Sequence, residues 1–223
     1  MEDGQFTLFA TLSDTEMYRL QDRGITIEAH FYLDFEIEDG SVLRIFADRQ
    51  SIDRVQADFG RLPRQDGEIL LEKRYASEHG ISIDDTIQIQ GCFFNVCGIG
   101  SSPDYEAPYR NVSDSVIDSS RFGTGFVGEP DYQMLKKMNR SIQAEEYTYA
   151  YLLGDETAEA QLKEALRDSS MPDNFDVNIP KLIQYLPAED NIRIGSAAAD
   201  VVINKSAGLL AGVVLIVLFA YVM

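Results

Sequence analysis

The sequence has no tryptophan, two histidines, two cysteines and no Gly-Lys dipeptide, and each shortage removes a class of function. Without Gly-Lys there is no Gly-x-x-x-x-Gly-Lys-Ser/Thr phosphate loop, so the chain does not bind and hydrolyse ATP by that route. No Gly-x-Ser-x-Gly elbow marks a serine nucleophile. The imidazoles are His30, on the polar side of an alternating stretch, and His79, in the last turn of a short helix, where a cation suits the helix dipole. Neither stands at metal-ligand spacing with a partner, so both are read as structural, and no metal-ligating, cofactor-binding or catalytic residue is assigned. Cys92 and Cys97, five residues apart across an expected hairpin, make no disulfide framework. Basic residues are also scarce: 19 Lys and Arg stand against 37 Asp and Glu, a net charge of −18. Nucleic acid and anionic lipid surfaces are excluded as partners, because both are held by basic patches; cationic ligands remain allowed.

The amino terminus, Met1-Glu-Asp-Gly-Gln-Phe, has neither a basic region nor an apolar one, so no signal peptide is expected there. The adjacent carboxylates Asp84-Asp85, Glu145-Glu146 and Glu189-Asp190 are the background of an acidic chain. Paired acid and base groups of a glycosidase come from separate elements lining a cleft, and an enzyme is not expected.

What the chain does have is one long apolar run. From Ala207 to Met223 there is no charged, amide or imidazole side chain. A bilayer core of about 30 Å takes roughly 20 apolar residues of helix, and a core helix of a soluble domain would keep a polar stripe. A transmembrane helix, cut short at Met223, is therefore expected over 207–223, with the whole charge of the protein on one side of it.

Ahead of the run, Ser13-Asp-Thr-Glu16 is a capping box and Gly24 a left-handed stop, predicting a helix over about Asp14 to Arg23. Apolar residues then alternate as Ile27, Ala29, Phe31, Leu33, Phe35 and Ile37, predicting one long strand. Asp39-Gly40 is the usual dipeptide of a two-residue hairpin turn, with a return strand over Val42 to Ala47. In that register Arg44 lands on the apolar face beside Phe35, which predicts an irregularity. Further on, the patterns predict a strand over Gly67 to Leu71, a helix from Glu72 to His79 and a hairpin of Thr86–Gln90 with Phe93–Ile99 turning at Gly91-Cys92. A loop over Gly100 to Ser120 follows, then a strand over Phe122 to Val127, a helix opened by Pro130 and a strand over Tyr147 to Leu153. The last elements are a helix capped by Asp155 with the stripe Ala158, Leu162, Ala165 and Leu166, a strand over Phe175 to Ile179, and a helical segment from Pro187. Tyr105 and Tyr109 in the long loop are the candidates for ligand contact. The hairpins point to an α+β fold rather than a doubly wound parallel sheet. The expected organisation is a mixed domain over 1–186, a helical stalk over 187–206 and the transmembrane helix over 207–223.

The passage Gly67-Glu-Ile-Leu-Leu-Glu-Lys-Arg-Tyr-Ala-Ser-Glu-His-Gly-Ile-Ser-Ile-Asp-Asp-Thr-Ile-Gln-Ile89, followed by Phe94-Asn-Val-Cys-Gly-Ile99 and Pro103-Asp104, resembles the extracytoplasmic domain of MacB/FtsX-like ABC transporter permeases. In that pattern a Gly-Glu-Ile strand leads through a short helix and a glycine stop to a Gly-Asp-Thr turn, then to a Phe-x-Val-x-Gly-Ile strand. Here Asp84 stands where the pattern has glycine. The resemblance implies a permease subunit in the cell membrane, its extracytoplasmic domain coupling ATP-driven motion of membrane helices to export or to an extracellular partner. It also implies a separate ATPase subunit and a second permease copy. The acidic domain would accept a cationic peptide as cargo. The competing expectation is a single-span, membrane-anchored binding or sensor ectodomain with no transport role.

Overall fold

In the computed structural model residues 1–154, 158–167 and 183–194 are described. Helix α1 (Asp14–Gln21) forms on its capping box: the Glu16 amide donates to Ser13 Oγ at 3.3 Å, and the Ser13 amide donates to the Glu16 carboxylate at 2.8 Å. It ends as predicted at Gly24, whose φ of +75° lets the Ile25 amide fold back onto the Leu20 carbonyl.

The alternating stretch 27–38 is not one strand. It divides into β2 (Thr26–Ala29) and β3 (Tyr32–Glu36), which belong to different sheets. The first sheet has the order β11-β1-β10-β2, built from β1 (Gly4–Leu8), β10 (Tyr147–Leu152), β11 (Gln184–Pro187) and β2. The second is seven-stranded. It takes β3, β4 (Val42–Ala47), β5 (Gln56–Gly60), β6 (Glu68–Glu72), β7 (Thr86–Ile89), β8 (Cys92–Ser101) and β9 (Phe122–Val127). Alternation survives the crossing because it dictates only which way each side chain points, not which strand pairs with it. Phe31 sits at the crossing and packs edge-on against Tyr147 and Tyr149 at 5.2 and 5.0 Å, joining the two cores. All strands of the larger sheet thus fall in sequence between β2 and β10, which pair with each other in the smaller one.

Helix α1 and helix α4 (Ala158–Arg167) cover the small sheet, with Leu20, Leu162 and Leu166 packed against Phe6, Tyr149 and Tyr151. Helix α2 (Lys73–Glu78) and helix α3 (Glu129–Met138) cover one face of the large sheet, seating Tyr75, Tyr132 and Leu135 on Phe35, Ile45, Ile69 and Leu71. A second cluster, with Phe46, Leu70, Tyr105 and Phe126, fills its other face. Hairpins and parallel pairs coexist there: β4 with β9 and β6 with β8 run parallel, the other ladders antiparallel. The fold is α+β, as the hairpins predict.

Two turns differ from expectation by one residue. Glu36 pairs with Val42, so the β3–β4 loop holds five residues, with Gly40 at φ +83°. That slip places Arg44 opposite Asp34 instead of Phe35, and no bulge is needed. Similarly β7 and β8 turn at Gln90-Gly91, both at positive φ (50° and 90°), as a type I′ turn requires. The stalk helix expected from Pro187 does not start there: Pro187 ends β11, 188–190 form one 3₁₀ turn, and Asn191 is already extended. Asp155, the strand expected over 175–179, the rest of the stalk from 195, and the run 207–223 lie outside the described residues. Among the described residues no helix is long and apolar enough to cross a membrane.

Candidate functional site

Between the small sheet and the β3–β4 side of the large one lies a cleft of about 510 Å³. One wall comes from β1, β10 and β11 (Gln5, Thr7, Thr148, Tyr185), the other from Tyr32, Asp34, Arg44 and Phe46, and the segment carrying Asp104, Tyr105 and Arg110 closes it. Two buried charge clusters border it.

The first centres on Arg44, which is 3% exposed. Its Nε and Nη2 donate to the two carboxylate oxygens of Asp34 at 2.8 and 3.0 Å, while Nη1 donates to the Tyr105 hydroxyl at 2.8 Å and to the Arg110 carbonyl at 3.2 Å. The Tyr32 ring lies 3.9 Å from the guanidinium carbon, and the Tyr32 hydroxyl donates to Glu146 at 2.6 Å. A two-pronged Arg–carboxylate pair of this kind is the strongest ionic contact a protein makes, and it leaves the guanidinium few free donors. Burial pushes the Tyr32 hydroxyl well above its usual range, so it stays protonated as a donor.

The second cluster is differently equipped. Glu2, His30, Asp53, Arg49 and Asp104 are each at most 4% exposed. Arg49 Nη1 reaches Asp104 Oδ1 at 2.6 Å, the Glu2 amide donates to Asp53 Oδ1 at 3.1 Å, and Asn191 Nδ2 donates to Glu2 Oε1 at 3.2 Å. Beyond these, Glu2 Oε2, Asp53 Oδ2, Asp104 Oδ2, both nitrogens of His30, and Nε and Nη2 of Arg49 are buried without a hydrogen-bond partner. His30 Nδ1 is 4.0 Å from Asp104 Oδ2 and Nε2 is 3.9 Å from Glu28 Oε2, both beyond hydrogen-bond range. Burial, reinforced by the carboxylates of Asp104 and Asp53, pushes the Glu2 carboxyl up to about 9. Burial and then Asp104 also raise Asp53. Burial and the Arg49 guanidinium lower His30, keeping it neutral. Burial works to raise Asp104 too, but the Arg49 guanidinium outweighs it and holds that carboxyl below its ordinary range. Asp53 carries its carboxylate inward from a left-handed backbone, φ +46°, a conformation that costs a non-glycine residue about 1 kcal/mol or more.

Of the two tyrosines singled out in the sequence, Tyr105 borders the cleft as the acceptor for Arg44. Tyr109 does not line it: the ring packs with Ala107 and Ile192, and its carbonyl accepts from Arg193 Nε at 2.9 Å. His79 caps α2 with Nδ1 2.9 Å from Asp39. Glu145 and Glu146, adjacent in sequence, go to different partners: Glu145 takes the Tyr132 hydroxyl and Lys136, Glu146 the Tyr32 hydroxyl. Cys92 and Cys97 share one strand, β8, as free thiols. Glu2, His30 and Asp53, which share no metal-ligand spacing in the sequence, are brought together by the fold: one oxygen or nitrogen of each lies within 4.8 Å of the others. Short-range spacing is silent there because the three residues come from three elements.

No family model matches the chain, and no curated protein matches it in sequence. Among solved structures, the periplasmic region of MacB from Actinobacillus actinomycetemcomitans is similar, with a TM-score of 0.45 at 11% identity, covering 82% of this chain and 88% of that one. The extracellular domain of the noncanonic ABC-type transporter YknZ from Gram-positive bacteria is similar with a TM-score of 0.44 at 9% identity, covering 83% of this chain and 99% of that one. At these values the likeness carries no inference about activity.

Proposed function

We propose that the chain is the extracytoplasmic domain of a MacB/FtsX-like ABC transporter permease, followed by a membrane helix over 207–223, and that it works mechanically rather than as an enzyme. The observation that carries this reading is Asp84. In the resembling pattern over Gly67 to Ile99 that position is glycine, and here Asp84 takes φ +71°, the backbone that glycine favours. Around it the order of elements is the one the pattern calls for: β6, α2, a left-handed Gly80 and the β7–β8 hairpin. The charge-free run after Ser206 supports a membrane position for the other end. A separate ATPase subunit supplies the energy, a second permease copy completes the transporter, and the cleft with Tyr105 in its wall is where an extracellular partner or a cationic peptide docks.

The test is a cysteine at the exposed Val116, in a version of the native membrane protein whose own Cys92 and Cys97 are replaced by serine, labelled on intact cells with a membrane-impermeant maleimide. Labelling without lysis, with an ATP-hydrolysing subunit co-purifying in mild detergent, is the expected result. Labelling only after lysis overturns the extracytoplasmic position. Outside labelling with no ATPase favours the anchored binding ectodomain, which the cleft would also serve.

A further inference from the structure

The cluster of Glu2, His30 and Asp53 has a property that packing does not explain. Burying a charge without a partner costs several kcal/mol, and buried polar atoms normally find hydrogen bonds. Yet three carboxylate oxygens and two imidazole nitrogens, on residues at most 2% exposed, are left without one in a single place. They converge from separate elements: Glu2 just ahead of β1, His30 at the crossing between the sheets, and Asp53 in the segment after β4. Three carboxyl groups share one guanidinium here, and burial holds Glu2 and Asp53 toward their protonated forms, protons that a bound cation would displace. Arg49 gives Nη1 to Asp104 and lies against the Phe46 ring at 4.6 Å, while its Nε and Nη2 are also without partners.

We propose that Glu2, His30 and Asp53 bind one divalent transition-metal ion, of the zinc class. Two carboxylates balance the charge of a dication. The imidazole selects against calcium and magnesium, which take oxygen ligands, and for ions that accept nitrogen. Ligating atoms that all lie within 4.8 Å of one another need only small side-chain shifts to close on an ion at about 2.0–2.2 Å. A ligating histidine normally gives its second nitrogen to a carboxylate or carbonyl, and whichever nitrogen of His30 is left has one close by, Asp104 for Nδ1 or Glu28 for Nε2. The ion would pin β1, the inter-sheet crossing and the segment after β4 at one point. The proposal is independent of the transport reading.

The chain has two histidines, so imidazole nitrogen NMR of the full chain, purified in detergent micelles and stripped with a chelator, reads the site directly. One equivalent of Zn²⁺ is expected to shift the His30 nitrogens and leave those of His79 in place, to raise the unfolding temperature, and, with Co²⁺ instead, to give visible ligand-field bands. His30→Gln and Asp53→Asn are each expected to weaken Zn²⁺ binding by about tenfold or more. The proposal is overturned if excess Zn²⁺ leaves His30 unmoved, which means that protons and water satisfy the cluster. It is equally overturned if only His79 shifts, or if both variants bind as tightly as the wild type, because the ions then sit on surface carboxylates. Should His30→Gln fail to fold, the isosteric Glu2→Gln and the wild-type spectrum decide alone.

Discussion

Two clusters of buried charge stand a few residues apart on the same cleft, and they are solved in opposite ways. Around Arg44 each carboxylate oxygen of Asp34 has its donor, and the guanidinium also serves a hydroxyl and a carbonyl. Around His30 the carboxylates outnumber the guanidinium, and several atoms have nothing to bond. The difference separates a group whose pairing is complete from one whose pairing is not. Burial is alike in the two, so it cannot be what distinguishes them; completeness of pairing does.

The sharpest way to break the comparison is to remove one partner of the complete pair. Arg44→Met leaves Asp34 buried and unpaired and is expected to cost about 3–5 kcal/mol, measured by urea unfolding followed by circular dichroism. Arg44→Met combined with Asp34→Leu should recover most of that loss, and a double variant no better than the single one would mean that shape, not pairing, holds the site. Asp104→Asn comes next. It strips Arg49 of its closest carboxylate but leaves Glu2 and Asp53 nearby, so about 2 kcal/mol is expected from the same measurement. Glu2→Gln should cost less than about 1 kcal/mol in chelator-stripped protein, since an isosteric amide replaces a carboxyl that burial already disfavours as an anion. A loss as large as that of Arg44→Met would show the second cluster to be as complete as the first.

The smallest effect belongs to an ion pair nearer the surface. Hydrogen bonds from Arg61, then from the Arg64 amide, draw the Glu68 carboxyl from its ordinary 4.5 down to about 2. A depressed carboxyl adds stability that is present above its unfolded value and lost as pH falls through the folded one. Glu68→Gln should therefore flatten the acid limb of the urea midpoint between about pH 5 and pH 2 while changing little near neutrality. Because the Arg61 side chain is 40% exposed, added salt should shrink the effect.

What was legible in the sequence was local. The capping box at Ser13, the glycine stop at Gly24 and the apolar stripe of α4 depend on neighbours within a turn or two, and each lies where its pattern puts it. The alternation from Ile27 to Ile37 put Ile27, Leu33 and Phe35 in the cores, but its polar side is buried as well at His30, Tyr32 and Asp34, and Ala29 is exposed. It could not give the change of sheet at Phe31, since pairing partners lie more than a hundred residues away at Thr148 and Tyr149. The Arg44–Asp34 pair hung on a single residue of loop length between Glu36 and Val42: with the tighter turn Arg44 looks like a misfit, and with the observed one it is opposite its carboxylate. Nothing local pointed to the His30 cluster, whose members are brought together only when the two sheets are.

The small sheet also sets how the protein meets a pull. Gly4, where β1 starts, pairs with Pro187, where β11 ends, so the chain enters and leaves this sheet side by side. Tension that drew these two points apart would load the β1–β11 ladder one rung at a time, like a zipper, where each hydrogen bond resists alone. Tension that moved both points together would leave the ladder unloaded and carry the whole body as one piece.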